Sequence, residues 1–413
     1  MPSKEHWAVF INNTSDKSHF IDMILRGNLP EYFMTLQDKK GAIFSPLALE
    51  QFMDEENRHG HRILTVATGQ SLQSMSSGER KKALLRHILK SDPDYMILDN
   101  PFDNLDRDTQ EELKVKLQSV SQKITLIQLS SRKSDLLPFI DRFLELDGKE
   151  LVAVKYGETV GGDHKTGKFK GEIPPSSKPV DFEGNILIEL INVNVFYGNK
   201  PILKNINWTI RKGEFWELRG KNGSGKTTIL SMITGENPKG YGQELYIFGR
   251  KKGSGESIWD IKKNIGYFTP SMTDRFSGYH SVESMIVSGL NDSIGLYVKP
   301  TEVQLRLAKQ WLQLIGLADA KDRLFQDLSM GQKRLVMCAR AMVKHPPLLI
   351  LDEPTAGLDD VSAVLFVDLV NAFAQESDTT IIFVSHRKEP GLEPQSIYEL
   401  KLTPKGSTGR VLE

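Results

Sequence analysis

Nine consecutive residues, Gly220-Lys221-Asn222-Gly223-Ser224-Gly225-Lys226-Thr227-Thr228, have the types and the spacing to hold a polyphosphate. They fit the pattern G-x-x-x-x-G-K-[ST]. The glycines let consecutive backbone N–H groups curl around a β-phosphate, Lys226 adds a point charge near the β- and γ-phosphates, and Thr227 offers a hydroxyl to Mg²⁺. Such a loop works only between a strand and a helix. Glu214–Leu218 before it is extended and rich in apolar residues, and Ile229–Ile233 after it has helical character. Further along lie three other segments with chemical potential. Leu328-Ser329-Met330-Gly331-Gln332 precedes a helical run, Leu348–Leu351 is an apolar strand ending in the carboxylates Asp352 and Glu353, and Ile381–Ser385 is a strand ending in His386. Gly357-Leu358-Asp359 lies between the last two.

The elements that must position these residues occur twice. Trp7–Ile11 reads as a buried strand, and laying the segment after it over the phosphate loop puts Lys17 on Lys226 and Ser18 on Thr227. The glycines at 220, 223 and 225 become Ile11, Thr14 and Asp16. A side chain at each place obstructs close backbone approach to phosphate, and Asp16 puts negative charge where an anion should sit. Met75-Ser76-Ser77-Gly78-Glu79-Arg80 opens a helical run, Tyr95–Asp99 is a strand ending in an aspartate followed by Asn100, and Ile124–Leu129 ends at Ser130-Ser131. Ser76 and Asp99 are 23 positions apart, as are Ser329 and Asp352; Asp99 and Asp106 are 7 apart, as are Asp352 and Asp359. Two copies of one fold account for this most economically. The copies are unequal. Lys17 to Ser76 covers 59 positions and Lys226 to Ser329 covers 103, and Ile186–Ile210 has no counterpart in the first copy. The expected organisation is a first copy over 1–154, a Gly/Pro-rich flexible linker over 155–185 and a complete copy over 186–413.

Composition narrows the partners. Lys+Arg and Asp+Glu are 53 each among 413 residues, and this neutrality argues against a protein that coats nucleic acid. The one cysteine, Cys338, lies in an apolar run and is expected to be a buried packing residue in a reducing compartment. No run of 18 apolar residues and no secretory start is present, so a cytoplasmic protein is expected, any membrane role going through a partner.

A phosphate loop, an S-x-G-[QE] signature, a strand ending in Asp-Glu, a G-L-D turn and a strand ending in His together resemble an ATP-binding-cassette (ABC) ATPase, over nearly the whole chain outside the linker. More narrowly, Met75–Asp106 and Leu328–Asp359 resemble the two halves of the tandem-cassette molybdenum (molybdate) transport ATP-binding proteins. The resemblance implies an α/β fold with two P-loop cassettes in tandem, the first shortened and degenerate. It implies ATP and Mg²⁺ as cofactors, with Asp352 holding the metal through water, Glu353 as general base, His386 contacting the γ-phosphate and Tyr197 stacking on adenine. It implies head-to-tail pairing of the cassettes within the chain. One composite site would join Gly220–Thr228, Asp352, Glu353 and His386 to Ser76, Gly78 and Glu79. The other would join the decayed first-copy positions to Ser329, Gly331 and Gln332. Asn100 and Ser131 stand where a base and a histidine are expected, so hydrolysis at the second site is not expected. Pro270 stands where the family places a glutamine that touches Mg²⁺ and couples to a membrane partner. The implied role is ATP hydrolysis associated with transport through a membrane permease, peripheral at the inner face of the membrane. The alternatives are an ABC ATPase acting on the ribosome or nucleic acid, and a regulatory switch, both without a permease.

Overall fold

The computed structural model describes residues 4–12, 15–65, 70–155, 171–176, 184–274, 276, 278–386 and 388–412. The chain divides into two compact units, residues 1–165 with 357–360, and residues 166–356 with 361–413.

In the first unit the chain runs through β1 (Trp7–Ile11), α1 (Lys17–Leu25), β2 (Gly41–Phe44), α2 (Pro46–His59), α3 (Ser77–Lys90), β3 (Tyr95–Asp99), α4 (Arg107–Ser121), β4 (Thr125–Ser130), β5 (Arg142–Asp147) and β6 (Glu150–Ala153). The strands form one sheet in the order β2-β3-β4-β1-β5-β6, parallel except for the last pair. Strands β3 and β4 are buried along their full length. This is why they read as unbroken apolar runs rather than as alternating patterns: helices cover both faces of a parallel sheet. One face packs Phe20, Ile24 and Phe33 on Val9, Ile97 and Leu129. The other packs Leu84, Leu113 and Leu117 on Met96, Leu98 and Leu126.

The second unit contains β7 (Ile186–Tyr197), β8 (Lys200–Arg211), β9 (Phe215–Gly220), α5 (Lys226–Ile233), β10 (Glu244–Ile247), β11 (Arg250–Lys251), α6 (Ile258–Lys262), β12 (Ile265–Phe268), α7 (Pro270–Asp274), α8 (Val282–Ser288), α9 (Glu302–Leu314), α10 (Met330–Met342), β13 (Leu348–Asp352), α11 (Asp360–Glu376), β14 (Thr380–Ser385), β15 (Ser396–Lys401) and β16 (Thr408–Leu412). Its main sheet has the order β12-β13-β14-β9-β15-β16, the same arrangement as in the first unit. Even the register repeats. Asp99 lies opposite Leu129 and Val9 opposite Leu129, as Asp352 lies opposite Val384 and Leu218 opposite Val384.

Two additions distinguish the second unit. The material expected over Ile186–Ile210 forms, with β10 and β11, an antiparallel sheet of order β11-β10-β7-β8, whose inner residues join the core around Leu218 and Ile229. The second is a longer middle: between the edge strand and the signature helix the first unit has one helix, α2, where the second has three, α7, α8 and α9. Cys338 is fully buried on α10 beside Met342, and burial pushes its thiol far up in pKa, so it packs rather than reacts.

Part of the expected linker is packed. Residues 156–170 and 177–183 lie outside the described residues, but Ile173 is buried, its N–H donates to Glu376 (2.7 Å), and the Pro174 carbonyl bonds the His345 ring (2.7 Å). Composition alone hid this, because one isoleucine among Gly and Pro is enough to anchor a short segment. Among the described residues no helix is long and apolar enough to cross a membrane.

Helices α8 and α10 approach closely enough to exclude any side chain at Gly289. A Cβ there would come 2.1 Å from the Arg340 carbonyl oxygen, a backbone atom that cannot yield alone. Buried Arg340 also ties the helices together through Ser288 Oγ and the Ser293 carbonyl (both 3.1 Å). Gly289→Ala is therefore expected to destabilise the protein by about 2 kcal/mol or more, read as a lowered melting temperature in calorimetry.

Candidate functional site

The C-terminal ends of β9, β13 and β14 bring the second-unit residues together, as the open edge of a parallel sheet does in α/β folds. Glycine is required in the phosphate loop for two distinct reasons. Gly223 and Gly225 have φ of 77° and 93°, a left-handed backbone that L side chains resist, and a Cβ on Gly225 would lie 2.6 Å from Leu203 Cδ2. At Gly220 the limit is space, since a Cβ would meet Ser224 Oγ at 2.5 Å. Gly225 occupies the N-cap of α5 and has no side chain with which to cap it. That end offers backbone N–H groups and the positive pole of the helix to an anion. Lys226 Nζ lies buried and donates to the carbonyls of Gly220 (2.8 Å) and Lys221 (3.3 Å), which holds it inside the loop's own curve. Thr227 at the helix start is exposed, whereas Ser224 is buried.

Asp352 and Glu353 close β13. Glu353 takes φ 49° while its N–H donates to the Val384 carbonyl (2.9 Å). This turn carries its carboxylate to His386 just past the end of β14, with Oε1 3.3 Å from Nδ1. The His386 side chain is buried and neither ring nitrogen makes a hydrogen bond among the described residues, so the close approach to Glu353 is a contact and not a formed bond. Burial first, and then the Glu353 charge, push the Asp352 carboxyl up to about 6, against the pull of Lys226 and a long hydrogen bond from Tyr267 Oη (3.4 Å). A dicationic metal would relieve that strain between neighbouring carboxylates. An exposed threonine hydroxyl and a carboxylate are hard oxygen donors that suit Mg²⁺, which keeps most of its shell as water and phosphate oxygen.

Tyr197 is half exposed at the end of β7. Its hydroxyl accepts from Asn237 Nδ2 (2.9 Å) and Lys239 Nζ lies 5.8 Å from the ring centroid. Asn222 is half-buried and Thr228 receives the Ser231 hydroxyl on its carbonyl (3.0 Å). Pro270 is the first residue of α7, where its missing N–H costs nothing.

The same positions in the first unit are closed on themselves. Asp16, standing where Gly225 stands, caps α1 with its own carboxylate, accepting from the His19 N–H (3.1 Å). Lys17 does not fold into a loop but pairs with Asp99, at 3.2 and 3.1 Å to its two oxygens. Asn100 Oδ1 accepts both the N–H (3.0 Å) and the hydroxyl (3.1 Å) of Ser131. Thr14 lies outside the described residues.

Both signatures open helices through capping boxes. The Ser76 N–H and hydroxyl donate to Glu79 Oε2 (both 2.8 Å), and the Ser329 N–H donates to Gln332 Oε1 (3.1 Å). Gly78 is buried where a Cβ would lie 2.5 Å from Thr109 Cγ2. Three residues carried no assignment in the sequence. Tyr267, bonded to Asp352, carried no local signal. Lys81 and Arg334 each stand five positions after the signature serine, and each binds the loop after the strand-ending aspartate of its copy: Lys81 to the Pro101 and Asp103 carbonyls (2.8 and 2.7 Å), Arg334 to the Pro354 (3.3 Å) and Ala356 carbonyls. The repeated spacing of a basic residue was the available signal.

Residues 203–356 match the family model described as ABC transporter. ABC transporter ATP-binding protein ModF of Escherichia coli (strain K12) is 37% identical over 361 residues, 84% of this chain and 73% of that one. The chain belongs to the ABC ATPases. An uncharacterized ABC transporter ATP-binding protein of Schizosaccharomyces pombe is 33% identical over 325 residues, covering 77% of this chain and 66% of its own length. Among solved structures, a chain of ribosome-bound archaeal Pelota and ABCE1 matches over 99% of this chain and 74% of that one, with TM-score 0.66 at 16% identity. At that identity the match speaks to the tandem-cassette fold alone.

The Asp352 shift fixes a pH dependence for the nucleotide-free protein. Its folded pKa lies above the unfolded value, so the folded state binds more protons between about pH 4 and 6 and loses stability as pH rises through that window, levelling off above it. Asp352→Asn is expected to flatten that slope and to raise the melting temperature at pH 7 without nucleotide, measured by thermal denaturation across pH.

Proposed function

We propose that this ABC ATPase turns over ATP at one site, built on the second unit, and that its hydrolysis serves transport through a membrane permease. The carrying observation is the contrast between the two copies: a glycine at the helix N-cap and adjacent Glu353 and His386 in one, against Asp16-capped, Lys17–Asp99-paired and Asn100–Ser131-bonded positions in the other. In this reading Gly220–Thr228 binds the phosphates, Tyr197 meets the adenine, and Thr227 and Asp352 hold Mg²⁺. Mg²⁺ neutralises charge on the phosphate oxygens when bound. Glu353 takes the proton of the attacking water, and His386 orients that water against the γ-phosphate. The family resemblance assigns Ser76, Gly78 and Glu79 to the same nucleotide. The relationship to an ABC transporter ATP-binding protein at 37% identity supports the transport association. A molybdate-type cargo follows from the sequence resemblance, and cargo recognition would belong to partner proteins.

Lys226→Ala and Glu353→Gln are expected to abolish ATP hydrolysis, and Ser76→Arg nearly so, while Lys17→Ala leaves turnover within about twofold. Steady-state phosphate release from the purified variants decides this, and equal loss in Lys17→Ala and Lys226→Ala would defeat the one-site reading. Trapping Glu353→Gln with ATP and identifying what co-purifies tests the transport role: a permease supports it, and a ribosome in its place overturns it.

A further inference from the structure

The Glu353–His386 pair has little to hold its second member. The His386 ring is buried with neither nitrogen hydrogen-bonded among the described residues, so its aim depends on how the backbone after β14 is anchored. Three residues on, Glu389 is 3% exposed, and its Oε1 accepts the hydroxyl of Thr355 at 2.6 Å; Thr355 is 2% exposed. Thr355 in turn stands two residues after Glu353. The bond therefore joins the two chain segments that carry the pair, on the far side of each catalytic side chain from its strand. A buried hydroxyl-to-carboxylate bond of this length is among the stronger neutral-to-charged hydrogen bonds.

The duplicated fold supplies an internal control. The clamp from the signature helix to the same loop is present in both copies, as Lys81 in one and Arg334 in the other, so it serves the fold. The Thr355–Glu389 bond is not. In the repeat register Thr355 corresponds to Phe102, buried in the apolar core, and Glu389 to Ser134, whose hydroxyl turns to Asp135. The fold thus forms without this bond, and the bond is found in the copy that has a carboxylate and a histidine to position.

We propose that Thr355 and Glu389 form a clasp that positions the Glu353–His386 pair for hydrolysis. Both are positioning residues: they act on the pair through the backbone and need not touch nucleotide. The inference rests on the reading of Glu353 and His386 as the hydrolytic pair. Loss of the clasp would loosen the pair's geometry, which hydrolysis senses and phosphate binding by the loop does not.

The test uses the full chain carrying Thr355→Val, which keeps shape and removes the donor, and Thr355→Ser, which restores it. Thr355→Val is expected to lower kcat about tenfold or more, with KM and the affinity for a fluorescent ATP analogue within about twofold of the parent protein. Thr355→Ser should recover most of the turnover, and Glu389→Ala should match Thr355→Val with no further loss in the double variant. Unchanged kcat in Thr355→Val overturns the clasp. So does a fall in kcat, analogue affinity and melting temperature together that serine does not rescue. Should the valine variant fail to fold, Glu389→Met, which keeps the length and removes the acceptor, gives the same readout. Glu353→Gln run alongside separates the two readings: retained turnover there refutes the base assignment, whereas lost turnover there with a fully active Thr355→Val refutes the clasp alone.

Discussion

One hydrogen bond recurs at the centre of each copy and constrains what surrounds it. Glu353 N–H reaches the Val384 carbonyl, and Asn100 N–H reaches the Leu129 carbonyl (3.1 Å), each time from a backbone with positive φ, 49° and 41°. The bond extends the ladder between two parallel strands by one residue past the strand-ending aspartate while the chain turns away. Residue 353 must therefore lie beside the residue two positions beyond Val384, whatever side chains are present. The left-handed backbone costs a glutamate roughly 1 kcal/mol or more. Asparagine tolerates it better, and asparagine is what stands there in the first copy. The strain is greater in the copy that carries the carboxylate.

The contrast between the copies is one of polar satisfaction. In the first unit three of these positions find internal partners: carboxylate to helix N-terminus at Asp16, ammonium to carboxylate between Lys17 and Asp99, amide to serine between Asn100 and Ser131. In the second, Asp352 and Glu353 sit as like charges, glycine stands at the helix N-cap and, among the described residues, a buried imidazole goes without hydrogen bonds. Internally closed positions favour the free fold, while open ones favour a ligand that completes them.

The architecture was legible in the sequence because a parallel sheet imposes register. The spacings of 23 and 7 residues repeat because the helix after the signature must return the chain to the strand that ends in aspartate, and the turn after it must reach the next helix cap. The apolar runs of β3, β4, β13 and β14 announced themselves for the same reason. The three glycines missing from the first loop were legible too. The route by which its charges are reconciled was not, since Lys17 and Asp99 are 82 positions apart and only the fold brings them within a hydrogen bond. The packing of Ile173 escaped notice for a different reason: periodicity needs several turns or strands to register, and a single buried residue has no period.

Side-chain bonds across sequence-distant loops are the class of feature that pattern reading reaches last. Thr355 lies within a run that looks explained by its neighbours Glu353 and Gly357, and Glu389 follows a histidine that draws all the attention. Neither residue type is unusual on a surface, and nothing in the one-dimensional pattern says that both are buried. Burial changes the argument, because a carboxylate withdrawn from water needs a donor and constrains whatever supplies it. The duplication then does what a mutation series would do. It shows the same sheet, the same strand-end bond and the same basic clamp formed with and without the Thr355–Glu389 contact, which separates what the fold requires from what the second copy adds to it.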